Sequence, residues 1–377
     1  MRVVYSIGAK FAGGGIGTTA YHGVRGLYRH KMLHRLLCGS FRPTEIPREK
    51  IRAMGLISRA LRKLAVYDPS HRLMYLHNVL YDAWTARLLE NGDLFHVWGG
   101  HGLRSLQRAK SMGMITVVQW ASSYPTWRAK LLQEEYARWG LHLHLLRAGL
   151  SRALNEMKRA DYILIPSKYA QETFEKYSFP PNKLIRISFG VDIVRFRPAE
   201  LSPSRPFTVL FVGTVTVAKG VLDLLEAWQH LGWQDAELWI AGRISAEILP
   251  LLKKYMQVPR LHFLGHRSNV ETIYQQAHIF AFPTVDEGSA LVTYEALACG
   301  LPVITTPNAG SIVRDGVEGL IVPIRDVDAL AAALERLRAD ERLRREMGRA
   351  ARARAERYTW ERYENALAER YLRLVTR

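Results

Sequence analysis

Apolar residues along the chain alternate between short runs of strand character and longer stretches with helical spacing, the pattern of an α/β protein. RVVYSI (Arg2 to Ile7) is a buried-strand candidate. DLFHVWGGH (Asp93 to His101) and MITVVQW (Met114 to Trp120) predict further strands, each running into a glycine or polar loop. Tyr21 to Arg35 and Leu131 to Gly140 read as helices. Lys158 to Pro198 reads strand, helix, strand. After LSPSRP (Leu201 to Pro206), a linker by composition, the pattern starts again. FTVLFVG (Phe207 to Gly213), AELWIAG (Ala236 to Gly242), LHFLGHR (Leu261 to Arg267) and IFAFP (Ile279 to Pro283) predict strands, and VLDLLEAWQHL an amphipathic helix. From Asp328 the chain is helical and laced with charge, ending in YTWERYENALAERYLRL (Tyr358 to Leu374). At 377 residues it has room for two domains, each with its own core.

One stretch has two readings. Arg48 to Pro69 places Ile51, Met54, Ile57, Leu61 and Leu64 at helical spacing, with Arg48, Arg52, Arg59, Arg62 and Lys63 largely on other faces. It is either a helix lying on an anionic lipid surface or one packed on its own domain with a solvated basic side. Charge keeps the first reading open. The net charge is +18, and residues 1–200 hold 31 Lys and Arg against 14 Asp and Glu, while residues 201–377 hold 22 against 21. The basic half should face something anionic: a membrane surface, an acidic or phosphorylated acceptor, or nucleic acid. No nucleic-acid motif accompanies it.

Cys38 and Cys299 stand far apart and match no metal spacing, which predicts a reducing compartment and no disulfide framework. No apolar run reaches the roughly 18 residues that span a bilayer. The N-terminus lacks a signal-peptide pattern, and there is no Asn-x-Ser/Thr site. The expectation is a cytoplasmic protein, with peripheral attachment to the inner face of the membrane as an extension of it.

The most informative stretch is PTVDEGSALVTYEALACGLP (Pro283 to Pro302). A short strand ending in proline precedes it. Glu287 and Gly288 fall in a loop, SALVTYEALA favours a helix, and Gly300 with Pro302 stops it. Glu287 and Glu295 are separated by seven residues. Taken as helix, that spacing rises roughly 12 Å and sets the carboxylates at opposite ends of one extended ligand. Free amides at the helix start suit an anion between them. A nucleotide sugar, with hydroxyls at both ends and phosphates in the middle, fits.

This E-x7-E pattern, with EALACG and the following PVIT, resembles the donor-site signature of the retaining glycosyltransferases of family 4. A second match supports it: Pro166 and Ser167 at a strand end, then Gly190, Val191, Asp192, Phe196 and Pro198 as G-V-D-x-x-x-F-x-P. The resemblance implies the GT-B fold, two Rossmann-like α/β domains facing a central cleft. It places the acceptor-side domain at residues 1–198, completed by a C-terminal helix at 358–377, and the nucleotide-sugar domain at 199–357.

The resemblance also implies roles. Relatives carry G-R-x-x-x-x-K-G after the first strand of the second domain, with arginine and lysine clamping the donor diphosphate. Gly213, Lys219 and Gly220 match, but position 214 is Thr214. Lys219 and Glu287 are the implied catalytic pair. Gly15, Gly213, Thr214, Lys219, Glu287, Gly288, Ser289, Ala290 and Leu291 would hold diphosphate and sugar, Glu295 the ribose, and His266 and Arg267 with Gly265 the base. Arg243, after the strand AELWIAG, offers a supplementary cation. Gly15, Gly17 and Ala20 also spell G-x-G-x-x-A, but Arg35 to Phe41 holds no acid for a dinucleotide ribose, so the loop is read as one that lets backbone approach a phosphate or sugar.

Acceptor chemistry is the least legible. Relatives have a histidine at the end of a strand like Met114 to Trp120, where Gln119 or Trp120 stands here. His101, Gln119 and Ser122, with Ser123, are the acceptor-side candidates. Trp120, Tyr124 and Trp127 serve either to stack on sugars or to pack. His142 and His144 lack partners for a metal, and Asp326 with Asp328 reads as helix capping rather than a metal-binding D-x-D. No metal or other cofactor is expected. The implied activity is sugar transfer from a nucleotide sugar to a hydroxyl of a glycan, glycolipid or acidic acceptor, with retention, in cell-surface polysaccharide or glycolipid synthesis. Two alternatives stay open: a GT-B enzyme that is not a transferase, such as a nucleotide-sugar epimerase, and an inactive relative that binds nucleotide or nucleic acid.

Overall fold

The structure, a computed structural model, describes residues 1–68, 70–200 and 205–376. Most of the expected linker, residues 201–204, lies outside the described residues, as do Pro69 and Arg377. Contacts divide the chain into two compact units. The first comprises Met1–Ala129, His142–Phe189 and Trp360–Arg377; the second comprises Lys130–Leu141 and Gly190–Thr359. Gly190 to Pro198 thus packs with the second unit, as does the segment from Lys130 to Leu141.

The first unit is built on seven parallel strands: β1 (Val3–Phe11), β2 (Leu33–Phe41), β3 (Ile51–Ala53), β4 (Leu94–Trp98), β5 (Ile115–Gln119), β6 (Tyr162–Ile165) and β7 (Leu184–Arg186). They lie in the order β3-β2-β1-β4-β5-β6-β7. All of β1 except Lys10 is buried, as a central parallel strand covered on both faces must be. Alternate residues serve opposite faces. Val3, Tyr5 and Ile7 join a core with Ala20, Val24 and Leu27 of the Ile16–Arg29 helix and Leu367 and Tyr371 of the Trp360–Val375 helix. Val4 joins the other, with Leu37, Phe95 and Val97. The last helix therefore completes the first unit. Its Glu364 is buried and receives bonds from Arg25 Nε at 2.7 Å and Arg29 Nη1 at 3.3 Å, and lies 2.9 Å from His22 Nδ1.

Two helix expectations need correction. The helix expected at Tyr21 to Arg35 runs from Ile16 to Arg29, because Lys31 takes a left-handed turn at φ 58° and Leu33 opens β2. Arg48 to Pro69 is not one helix. Ile51 pairs with Leu36 in the sheet, Gly55 turns at φ 77°, and only Leu56–Leu64 is α-helical. Ile51 is buried, but Leu56 is 78% exposed, Ile57 59% and Tyr67 81%. Leu64 and Val66 are exposed too. Packing on its own domain thus leaves much of this segment's apolar surface in solvent. The helix expected at Leu131 to Gly140 both starts and ends earlier, at Pro125–Arg138.

The second unit has six parallel strands: β8 (Phe207–Val212), β9 (Ala236–Ala241), β10 (Leu261–Gly265), β11 (Ile279–Phe282), β12 (Val303–Thr305) and β13 (Gly319–Ile321). Their order is β10-β9-β8-β11-β12-β13. Strand order reverses between β8 and β11, the point where open α/β sheets receive ligands. Asp326 caps the helix Val327–Ala339, accepting from the Ala329 amide at 2.8 Å, so the D-x-D is a helix start. Cys38 and Cys299 are buried free thiols. Among the described residues no helix is long and apolar enough to cross a membrane.

Candidate donor-binding site

The loops after β8, β9, β10, β11 and β12 meet beyond the carboxyl ends of the strands, and the chain ties them by backbone. The Gly213 amide donates to Ala241 O and the Gly242 amide to Gly265 O, both at 2.9 Å, which levels the ends of β8, β9 and β10. Val285 N and Thr284 Oγ1 both donate to Ala218 O at 2.9 Å, joining the β8 and β11 loops. Gly220 turns at φ 66°, and a Cβ there would lie 1.9 Å from Pro283 O, so this contact requires glycine. The Glu287 amide donates to Asn308 O at 3.0 Å, and Asn308 Nδ2 to Val285 O at 2.8 Å, which fixes the acidic loop against the one after β12.

Within this frame Lys219 and Glu287 form an ion pair, both partly buried, with the ammonium 5.9 Å from the centre of the Phe282 ring. Gly288 and Ser289 are buried, and Ser289 Oγ shares a hydrogen bond with Tyr294 Oη at 2.9 Å. The helix covers only Leu291–Ala298. The separation of Glu287 from Glu295 is therefore about one helical turn plus a loop, not an uninterrupted helix. Of the three amides expected to receive an anion, that of Ala290 donates to Ala309 O at 3.0 Å; those of Ser289 and Leu291 remain at the helix entrance, where no intrahelical carbonyl can reach.

Glu295 stands one turn into that helix. It accepts from Tyr274 Oη at 3.0 Å. Burial pushes its pKa up to about 7, and the Tyr274 bond and the Arg195 charge offset this only in part. Tyr274 is a functional neighbour that sequence reasoning missed, since nothing local links it to a residue 21 positions on. His266 and Arg267 are exposed beyond Gly265, which turns at φ 68°. Thr214 is exposed at the end of β8. The second unit thus collects Gly213, Thr214, Lys219, His266, Arg267 and the stretch from Glu287 to Glu295 at one end of one sheet.

Gly15 belongs to the first unit, where it precedes the Ile16–Arg29 helix at φ 56° with open space around it. The acceptor-side candidates also lie there and divide sharply. His101 is buried; the Gly8 amide donates to its Nδ1 at 3.3 Å. Burial, reinforced by the positive charges of Arg62 and Arg152, pushes its pKa down to about 3 and keeps it neutral. Gln119 is buried in the core, where its Oε1 accepts from Tyr5 Oη at 3.3 Å and its Nε2 donates to Tyr363 Oη at 3.2 Å. Ser122 is partly exposed and accepts from Arg128 Nη1 at 3.5 Å. Trp127 donates to Tyr169 Oη at 3.1 Å and Tyr124 stacks on Tyr177, so both pack.

The loop carrying His101 has a buried support that sequence reasoning missed. Glu156 accepts from the Gly100 and Gly102 amides, and Asp82 caps the Leu103–Ser111 helix through the Arg104 and Ser105 amides. Arg152 lies between the two carboxylates. Arg152 and Glu156 are i and i+4 on one helix, but Asp82 stands on another 70 residues earlier, and no local spacing records that third member.

Comparison with known proteins gives this frame a family. Residues 13–195 match the family described as Glycosyltransferase Family 4, and residues 206–340 that described as Glycosyl transferases group 1. A D-inositol 3-phosphate glycosyltransferase of Streptomyces bingchenggensis is 30% identical over 230 residues, 54% of this chain and 50% of that protein. The chain thus aligns with about half the length of the curated relatives it matches. Two solved structures share the fold: sucrose-phosphate synthase from Thermosynechococcus elongatus (TM-score 0.72, 18% identity, all of both chains) and Anabaena HepE in complex with UDP-glucose (TM-score 0.70, 16% identity, 99% of this chain and all of that one). With both units matched by glycosyltransferase families and both sheets in the GT-B arrangement of strands, the chain belongs to the family 4 glycosyltransferases.

Proposed function

We propose that the protein transfers a sugar from a nucleotide-sugar donor to a hydroxyl of an anionic acceptor, with retention at the anomeric carbon. The observation that carries this reading is the constellation at the β8–β11 switch point: a lysine–glutamate pair, a helix entrance with unpaired amides, and a second glutamate one turn in. As the bond to the leaving diphosphate breaks, negative charge grows on the phosphate. Lys219 Nζ and the Ser289 and Leu291 amides meet that charge, and preorganised donors of this kind supply the largest electrostatic contribution. Thr214 adds a hydroxyl donor. Glu287 holds both Lys219 and the donor sugar, and Glu295 accepts from the ribose hydroxyls. These fixed charges and dipoles do the work that a metal does elsewhere.

The acceptor reading rests on charge. The first 200 residues carry the basic excess, and the Streptomyces relative is named for a phosphorylated acceptor. The exposed apolar residues Leu56, Ile57, Leu64, Val66 and Tyr67, beside exposed Arg59 and Lys63, suit the surface of an anionic membrane. A peripheral enzyme adding sugars to a lipid-linked or acidic acceptor in cell-surface glycan synthesis accounts for both. The test is the anomeric configuration of the product, read by proton NMR after turnover with a panel of α-linked UDP-, GDP- and ADP-sugars. An α-linked product is expected. A β-linked product overturns retention, and conversion of donor to an epimer without acceptor overturns transfer.

A further inference from the structure

We infer that Arg243 supplies a second cation for the donor diphosphate, from the strand next to the one that carries Thr214. This rests on the proposed donor reading and adds a residue to it. β8 and β9 pair in parallel from Phe207 with Ala236 to Val212 with Ala241, and beyond the strands Val215 pairs with Ile244 in the same phase. Thr214 and Arg243 are therefore opposite one another. The Val215 amide donates to Arg243 O at 2.9 Å and the Ser245 amide to Val215 O at 3.0 Å, which brackets that pair. Paired residues of adjacent strands stand about 4.8 Å apart and leave the same face of the sheet.

Glycine locks this register. A Cβ on Gly242 would lie 1.8 Å from Gly213 O, so the two backbones press together one step before Thr214 and Arg243. Both of those side chains are exposed at the carboxyl end of the sheet, beside the switch point. Thr214 is a short side chain that carries no charge. Arginine is long, and its planar fork matches a phosphate with two parallel hydrogen bonds.

Charge supplies the need. Lys219 is paired with Glu287, so the two sum to no net charge in front of a ligand that carries at least two negative charges. Among the described residues the Arg243 guanidinium has no ion-pair or hydrogen-bond partner. Arg267 is one strand further out, on the loop after β10. Arg243 is thus the cation set opposite Thr214 by the register, and among the described residues an uncommitted one.

The experiment is calorimetric titration of UDP, GDP and ADP, and of the matching nucleosides, into wild type, Arg243→Ala, and Arg243→Ala with Thr214→Arg. Arg243→Ala is expected to weaken the diphosphate that wild type prefers by about tenfold or more, the size of a lost charged hydrogen bond, and to leave its nucleoside nearly unchanged. Thr214→Arg in that background is expected to restore most of the loss, since it returns a guanidinium from the neighbouring strand. Unchanged diphosphate binding in Arg243→Ala overturns the inference alone. So does an equal loss for nucleoside and diphosphate, or a loss that Thr214→Arg does not repair. Failure of wild type to bind any of the three diphosphates overturns the donor reading itself, and the inference with it.

Discussion

Lys219 and Glu287 are held together by backbone bonds from the β8 loop to the β11 loop and from the β11 loop to the one after β12. That rigidity is what a charge-stabilising site needs, because donors that must be reoriented during the reaction lose much of their effect. Lys219→Ala should therefore lower kcat by about a hundredfold or more and change donor KM far less; steady-state rates with the preferred nucleotide sugar check this. A near-normal kcat would remove Lys219 from the reaction. The strand, proline, acidic loop and helix around Glu287 were legible because they follow one another within one short stretch, Ile279 to Ala298. The bond from Tyr274 to Glu295 and the burial of Gln119 between Tyr5 and Tyr363 were not. Each depends on elements brought together from distant parts of the chain, which no spacing rule records.

The last helix is the clearest case of an element acting at long range. Trp360–Val375 packs on Ile16–Arg29, and Glu364 draws His22, Arg25 and Arg29 onto one carboxylate. Desolvation alone would raise the pKa of Glu364, but the bonds from His22 and Arg25 and the Arg25 charge outweigh it and hold it below the usual carboxylate range. A depressed carboxylate contributes stability above its unfolded pKa and loses it as pH falls through the folded value. Glu364→Gln should cost about 2 kcal/mol near pH 7, since it removes charged hydrogen bonds from the partly buried Arg25 and leaves that guanidinium without its counterion. The difference from wild type should shrink below about pH 4 as the wild-type carboxyl protonates. Urea midpoints at the two pH values measure it, and a pH-independent difference would mean that packing, not charge, joins the helices. The segment at Arg48 to Pro69 shows the opposite limit of sequence reading. Its apolar spacing suited one helix, but β3 needs Ile51 as a strand partner for Leu36, and that tertiary demand outweighs local periodicity.

Across the whole chain, the basic excess and most of the exposed large apolar side chains fall in the same half of the sequence. Each side chain such as Leu56 or Ile57 gains about 1.5–3 kcal/mol on full burial, and each basic residue near an anionic membrane about 1 kcal/mol. Sedimentation with anionic vesicles should therefore bring the protein down at low salt and release it at high salt, and Leu56→Ser with Ile57→Ser should weaken binding about tenfold or more. Equal binding to zwitterionic vesicles, or no effect of the double substitution, would take this face out of the account. The α/β class and the two-unit organisation were legible from alternating runs and length. The units' limits were not, because Lys130 to Leu141 and Gly190 to Pro198 join the second unit by packing that their composition does not announce.

Thermal unfolding with UDP, GDP and ADP beside Glu295→Ala decides whether a donor nucleotide is held at the ends of β8 to β12 with Glu295 on its ribose. A nucleotide at 100 times its dissociation constant adds about 2.7 kcal/mol to stability, a shift easily resolved. A clear rise in Tm with one of the three is expected, lost or much reduced in Glu295→Ala. No shift with any of them, or an equal shift in both proteins, would contradict it.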